Sequence, residues 1–303
     1  DFADNDVTLT DVYLSWARGD TTITLGQHKT FSSFEDQSSD LFTSLMERAQ
    51  FNSAFGFERR VGLSLAQTAG MVRVEAGIFT DDVDALVNDE ANGWSVDGRV
   101  SIAPRIGEDQ LHLGLSAHSR DFNDGQPTAR YRTRPFLHST NSRFVDTGEF
   151  AATGEYSFGV ETAAIMGRLH WAGEAHWMHA RRPGLPDPGF FGGYAELGLF
   201  LTDDRRTYRR GTLDRPTVTR PVGSGGLGAW EVNARYDFLD LTDVGIMGGQ
   251  QSQYGLSLVW HPVGSVRFTA NYVRIETDDA SLPINGDRDY GADAFGLRAQ
   301  FDF

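Results

Sequence analysis

The stretch Asp293-Ala294-Phe295-Gly296-Leu297-Arg298-Ala299-Gln300-Phe301-Asp302-Phe303 decides the fold. Phe295, Leu297, Ala299, Phe301 and Phe303 share one side of an extended strand, and Gly296, Arg298, Gln300 and Asp302 share the other. A strand with one lipid-facing side and one wet side ends naturally on an aromatic at the membrane–water boundary. The same eleven residues also fit the edge strand of a soluble sandwich. What favours the membrane is recurrence along the chain.

Working backwards from that stretch, strands are expected at 265–278, 249–262, 229–241, 191–202, 168–180, 155–166, 109–121, 93–106, 71–80, 59–69, 21–29 and 7–17. In 109–121, Leu111, Leu113, Leu115 and Ala117 alternate with His112, Gly114, Ser116 and His118. In 229–241, Trp230, Val232, Ala234, Tyr236 and Phe238 oppose Glu231, Asn233, Arg235 and Asp237. The phase is ambiguous at Val273-Arg274, and 129–137 could hold a short extra strand. Tight turns such as Gly19-Asp20 and Gly107-Glu108 mostly alternate with long loops at 30–58, 81–92 and 122–150. About thirteen strands of roughly 10–14 residues with this rhythm read as an antiparallel meander through a membrane. Sandwich strands are shorter.

The chain has 303 residues, a formal charge of -15, no cysteine and a mean hydropathy of -0.37. No apolar run approaches the roughly 18 residues of a membrane helix. A barrel needs only every second residue apolar, so low mean hydropathy is compatible with it. The absence of cysteine fits a cell-envelope protein and many cytosolic ones alike. No signal peptide stands at Asp1, so one has been removed or the chain begins inside the mature protein. Nothing marks a domain boundary: 1–303 reads as one barrel domain, with 30–58 as a loop folding into the lumen. In a barrel with both termini on the short-turn side the strand number is even, so an odd count implies strands before Asp1. The same parity puts the long 203–227 connection on the short-turn side.

Several blocks resemble the phosphate-selective porin O and P family. They are Gly26-Gln27-His28-Lys29, Phe42 through Met46-Glu47-Arg48-Ala49, Val145-Asp146-Thr147-Gly148, Phe200-Leu201-Thr202, Gly228-Ala229-Trp230-Glu231 with Arg235-Tyr236 and Leu239-Asp240-Leu241, and Gly264-Ser265-Val266-Arg267 with Asn271-Tyr272-Val273-Arg274. The resemblance implies a trimeric, sixteen-stranded transmembrane antiparallel β-barrel with about three strands ahead of this chain. It also implies an outer-membrane location in contact with lipid and lipopolysaccharide. Lys29, Arg48, Arg59 and Arg60 are carried over onto the inward loop and its flanks as pore-constriction residues. The chain departs from the family in having Lys29 as its single lysine.

Pore-wall candidates follow from strand phase: Arg73, Arg99, Arg120, Arg235, Arg267 and Arg298 face the interior with Glu75, Asp97, Glu174, Glu196, Glu231 and Asp237. Fixed charge at the narrowest point selects ions. Such charges can also simply pair across neighbouring strands. The expected function is passive diffusion of small hydrophilic solutes with a mild preference for anions, phosphate being one candidate. That function needs no cofactor and no nucleic acid. Two other readings stand beside it: a barrel hydrolase using inward His112, His118, His170, His176 or His261, and a soluble sandwich binding module. Asp81, Asp82, Asp84, Asp89 and Glu90, or Asp287, Asp289 and Asp293, are weak calcium candidates that read better as solvated loops. The cluster Arg205, Arg206, Arg209, Arg210, Arg215 and Arg220 is either an anion contact near the pore mouth or a solvated loop. Gly223 to Gly228 has the letters of a dinucleotide loop but precedes a strand and opens no helix.

Overall fold

The computed structural model describes residues 9–88, 93–123, 127–137 and 139–302. Its strands, in chain order, are β1 (Val12–Arg18), β2 (Thr21–Lys29), β3 (Arg59–Ala69), β4 (Val72–Phe79), β5 (Trp94–Ile102), β6 (Arg105–Ile106) and β7 (Asp109–Asp121). Then come β8 (Thr128–Ala129), β9 (Arg132–Thr133), β10 (Val145–Asp146), β11 (Phe150–Ala151), β12 (Gly154–Met166), β13 (Leu169–Arg181) and β14 (Gly189–Phe200). The last are β15 (Arg205–Arg209), β16 (Thr212–Thr217), β17 (Ala229–Asp243), β18 (Ile246–Val263), β19 (Val266–Asp278) and β20 (Tyr290–Phe301). Three short helices accompany them: α1 (Phe34–Gln37), α2 (Gln50–Ala54) and α3 (Val83–Asn88). Among the described residues no helix is long and apolar enough to cross a membrane.

Thirteen strands pair in chain order, β1-β2-β3-β4-β5-β7-β12-β13-β14-β17-β18-β19-β20, each antiparallel to the next, and β6 joins the same sheet through β7. Local chemistry explains the meander. Gly19, Gly70, Gly107 and Gly167 have φ between 58° and 64°. Each is the first central residue of a two-residue turn, the place that a type II′ hairpin reserves for glycine.

The structure corrects several strand boundaries. Strand 93–106 is not continuous: Pro104 has no N–H to donate, β5 stops at Ile102, and Arg105–Ile106 forms a separate short strand against Gln110 and Asp109. Strands 229–241 and 249–262 are longer than read, because Val244 and Gly245 both take positive φ and join β17 to β18 in a two-residue turn. The last strand covers 290–301, and Phe303 lies outside the described residues, as do Val7, Thr8, Asp89 and Glu90.

Side chains are sorted inside out relative to a soluble protein. Along β18, Tyr254, Leu256 and Leu258 are exposed, while Gln253, Ser257 and Val259 are buried. Leu256 is 56% exposed and Leu297 86%, whereas Glu231 and Asp97 are 0% exposed. Leu63, Ile78, Leu113, Leu115 and Leu197 extend the bare apolar face across the sheet. A continuous apolar surface of this size is stable only against hydrocarbon or another protein. Two aromatic rows bound it. At the short-turn end Trp230 stacks on Trp260 (centroids 5.3 Å) and Trp260 on Phe268 (5.5 Å), and both indole N–H groups donate to the Leu227 carbonyl. Toward the loop end Trp177 meets Phe191 (5.4 Å), which meets Phe238 (6.2 Å). Trp230 and Phe238 are eight residues apart on β17, about 26 Å along a strand at roughly 3.3 Å per residue. On strands tilted by roughly 35–45° this is about 19–22 Å of height, close to the roughly 25 Å apolar band between girdles of an outer-membrane wall.

The ambiguity at Val273-Arg274 resolves at the loop end of β19. Beyond the band, Val273 and Ile275 turn inward into a cluster with Leu45 and Phe136, while Arg274, Glu276 and Asp278 face outward. On the buried face the sheet wraps around segment 30–58. Ser32 contacts Asp97 of β5, Phe34 contacts Glu174 of β13, and Met46 contacts Asn271 of β19 and Gly296 of β20.

Candidate functional site

Segment 30–58 is held by charges that the strands point at it. Ser33 caps α1, accepting from the Asp36 amide (3.1 Å), and the Glu174 carboxylate accepts from the Phe34 and Glu35 amides (2.8 and 2.7 Å). The Gln50 amide at the start of α2 donates to Asp237 (3.0 Å). Glu35 is the knot: it accepts from the Ala49 amide (2.7 Å), from Asn52 (3.0 Å) and from Arg235 (2.5 Å). Burial pushes its carboxyl above the usual range, against the pull of Arg235. Burial does the same to Asp36 against Lys29 and Arg48. Phe51, fully buried, stacks on His176 (4.4 Å) and faces Tyr194.

The backbone of 41–47 forms a collar for guanidiniums. Arg267 donates to Leu41 and Thr43 carbonyls, Arg298 to Met46 (3.4 Å), Arg235 to Glu47 (3.3 Å) and Arg206 to Phe42. Arg206 was not expected there. Residues 205–217 are not a solvated loop: β15 and β16 make a hairpin that enters the buried face from the short-turn end. Its Gly211 carbonyl accepts from Arg99 (2.7 Å), Tyr208 meets His112 (2.6 Å), and Arg206 bonds Ser44 and Glu231 (3.0 Å each). Arg215 pairs with Asp302 and lies over the Phe42 ring (5.0 Å). Arg209, Arg210 and Arg220 of the same cluster are exposed.

The predicted wall residues are inward but mostly spoken for. Arg73 and Arg99 both bond Glu75 (2.8 and 2.7 Å), and Arg99 also bonds Glu161 (2.7 Å). Asp97 bonds His118 (2.8 Å), Arg120 pairs with Asp81, and Glu231 bonds His170 (2.8 Å) besides Arg206. His176 bonds Glu174 (3.1 Å) and His112 bonds Glu161 (2.7 Å). Of the five inward histidines read from the sequence, His112, His118, His170 and His176 therefore sit in carboxylate pairs, and His261 does not. Among the described residues no group of three or more His, Asp or Glu is placed to hold a metal. Asp81, one of the calcium candidates, is taken by Arg60, Arg120 and the Gly93 amide.

Two sizeable cavities lie among the described residues on the buried face. One, of about 510 Å³, opens at the loop end. It is lined by six guanidiniums (Arg60, Arg120, Arg130, Arg132, Arg134, Arg143) against three carboxylates (Glu58, Asp81, Glu155). Arg132 is exposed. Burial and the neighbouring guanidiniums of Arg134 and Arg132 hold Arg143 below its ordinary pKa. Burial opposes ionisation of Asp146, but the two bonds from Arg130 and the Gly148 amide outweigh it and hold the carboxyl low. The second cavity, about 380 Å³, shares Ser53, Glu58 and Arg134 with the first and holds Arg48, Arg59 and Arg298 beside Asp36, Asp40 and Glu47. Of the expected constriction residues, Arg48 and Arg59 line this deeper cavity and Arg60 the outer one. Lys29 lies against Asp36 (3.9 Å), and Arg59 is bidentate to Asp11 (2.9 and 3.0 Å). Sequence reading passed over Glu35 and Glu161 and read Arg130, Arg132 and Arg134 only as a possible strand. The alternating Arg-x-Arg-x-Arg was the available signal.

The chain is 41% identical over 312 residues to an uncharacterized protein of Caulobacter vibrioides, covering 100% of this chain and 63% of that protein. It is 26% identical over 262 residues to Porin O of Pseudomonas aeruginosa, covering 78% of this chain and 58% of that protein. The chain thus spans less than two thirds of the curated relatives it matches. Among solved structures it is similar to OmpT, an outer membrane protein of Vibrio cholerae. The trimer form gives a TM-score of 0.55 at 9% identity, over 95% of this chain and 79% of that one. The outer-membrane-expressed form gives 0.53 with the same identity and coverage. Residues 1–303 match the family described as phosphate-selective porin O and P, and the chain belongs to that family.

Proposed function

We propose that this chain forms most of the wall of an outer-membrane porin through which small hydrophilic solutes diffuse, with a preference for anions set in the outer cavity. Segment 30–58 is the constriction loop. Closing the wall needs partners for the free edges of β1 and β20, because unpaired backbone groups are not tolerated in hydrocarbon. Sixteen strands and a homotrimer in lipid and lipopolysaccharide are the arrangement proposed, supported by family membership and by the trimer form of a structural neighbour.

The charge count around the two cavities carries the proposal. The outer cavity holds six guanidiniums to three carboxylates. The deeper one holds four, Arg48, Arg59, Arg134 and Arg298, to four, Asp36, Asp40, Glu47 and Glu58. A mouth rich in one sign concentrates counter-ions before the narrow part is reached. Phosphate is admitted on this reading as one anion among several. The experiment is the reversal potential of single channels in a KCl gradient. The wild-type protein favours chloride, and Arg132→Glu with Arg134→Glu moves the reversal potential toward the cation side. Acidification strengthens chloride preference, because Glu35 and Asp36 titrate above the ordinary carboxylate value and lose negative charge as pH falls through that range. A cation-selective wild type, or a double variant with unchanged reversal potential, removes the proposal.

A further inference from the structure

The β15–β16 hairpin leaves the wall between the neighbouring strands β14 and β17, and the Gly211 carbonyl at its tip meets Arg99 of β5. Strand β5 stands four places along the sheet from β14, about 19 Å of wall at roughly 4.8 Å per strand. The hairpin therefore crosses the interior instead of lining one side of it. Arg210 and Gly211 at the tip have φ of 51° and 85°, which makes a two-residue turn. Two strands alone are marginally stable, so the hairpin keeps its place by what it touches. At the far side it meets Arg99 and, through Tyr208, His112 (2.6 Å). At the near side Arg215 pairs with Asp302. Between them it meets segment 30–58.

The meeting point is Arg206, which is 2% exposed. Its guanidinium donates to the Phe42 carbonyl and the Ser44 hydroxyl (3.0 Å) of the segment and to Glu231 of β17 (3.0 Å). A hydroxyl has one proton to give, and that of Ser44 goes to Glu196 (2.5 Å). Glu196 accepts from Arg235 (2.6 Å), and Arg235 donates to Glu35 (2.5 Å). Glu35 in turn accepts from the Ala49 amide and Asn52. Arg206, Ser44, Glu196, Arg235 and Glu35 thus form an unbroken row of bonds from the hairpin to the start of α2, and all of them are buried. Bonds of this kind reinforce one another away from water. Arg215 adds a second contact, lying 5.0 Å from the Phe42 ring centroid.

We propose that Arg206 is a positioning residue for the constriction: through Ser44 and Glu196 the hairpin on the short-turn side sets where Arg235 holds segment 30–58, and so sets the width of the passage. The role rests on segment 30–58 being the constriction loop. The test is single-channel conductance of Arg206→Ala, Ser44→Ala and Arg235→Ala, alone and in pairs, with proteolysis within 30–58 read beside it. Ser44→Ala breaks the row without changing any charge, which separates position from the field of a lost cation. Both single variants raise conductance, by less than Arg235→Ala does, and adding either to Arg235→Ala raises it no further. In both, segment 30–58 is cut about tenfold faster, the change in open population that about 1.4 kcal/mol brings. Arg206→Lys, which keeps one bond of the fork, falls between wild type and alanine. Arg209→Ala, on the same hairpin, exposed and without a side-chain bond among the described residues, behaves as wild type. Wild-type conductance and cutting in Arg206→Ala and Ser44→Ala, or increments that add in full to that of Arg235→Ala, overturn the proposal. A lower urea midpoint in liposomes with unchanged conductance also overturns it and leaves Arg206 a structural bond. A wild type that forms no channel removes the porin reading instead, and cutting of segment 30–58 then decides by itself whether Arg206 holds it.

Discussion

Arg235→Ala is expected to release segment 30–58 from the wall and raise single-channel conductance. Arg235 is buried, bonds Glu196 at 2.6 Å and Glu35 at 2.5 Å, reaches the Glu47 carbonyl and lies 4.7 Å from the Tyr194 ring centroid. Removing one partner of a buried ion network strands the others, and such losses run to about 3–5 kcal/mol. Here two carboxylates would be left facing each other on opposite sides of the contact, one on the loop and one on β14. The cheapest escape is for the loop to swing away and hydrate Glu35, whose bonds from Ala49 and Asn52 lie within segment 30–58 and move with it. Arg235→Lys keeps one charge but cannot serve two carboxylates and a carbonyl with a planar fork, so its conductance falls between wild type and alanine. Proteolysis within 30–58 provides the second readout. A variant with wild-type conductance and an uncut loop would show that Arg235 does not hold it.

The second large effect concerns the wall itself. Leu256→Arg is expected to destabilise the folded protein in bilayers by about 2–4 kcal/mol, the cost of a cation on the lipid face near mid-depth. Leu256 is 56% exposed and lies on the apolar face between Tyr254 and Leu258. Its chain neighbour Ser257 is inward, donating to the Ser44 carbonyl at 2.7 Å and accepting from Asn233 at 2.9 Å. Ser257→Ala takes one partner each from the Ser44 carbonyl and the Asn233 amide and costs about 1–3 kcal/mol, the penalty for leaving buried polar groups short of a hydrogen bond. Urea titration of protein folded into liposomes reads both. A soluble sandwich gives the opposite outcome for Leu256→Arg, where an exposed arginine is nearly neutral.

The alternation of side chains is a local property, so the wall was legible from residues alone. Leu113, Leu115, Tyr254 and Leu256 announce an apolar face, and His112, Ser116, Gly255 and Ser257 the opposite one. Phase failed only at Val273-Arg274, where the strand leaves the apolar band and the rule reverses: the inward residue meets Leu45 and Phe136, and the outward one meets water. What the residues could not show was who pairs with whom across the interior. Arg206 and Phe42 are 164 positions apart. Nothing in a run of arginines between two glycine-rich pieces says that a hairpin will turn inward rather than outward. Arg99, Arg235 and Arg267 were legible as inward but not as occupied, because their carboxylate and carbonyl partners come from other strands and from segment 30–58.

The claim beneath all of this is that successive residues of one strand face different media. The chain has no cysteine, so single cysteines at 252 to 260 can carry a spin label without background. Collision with oxygen dissolved in the bilayer should peak at 254, 256 and 258 and dip at 255, 257 and 259. Uniformly low collision across all nine positions, or a water-soluble nickel chelate reaching 254, 256 and 258, would mean that this face meets protein or water and that the wall does not stand in a membrane.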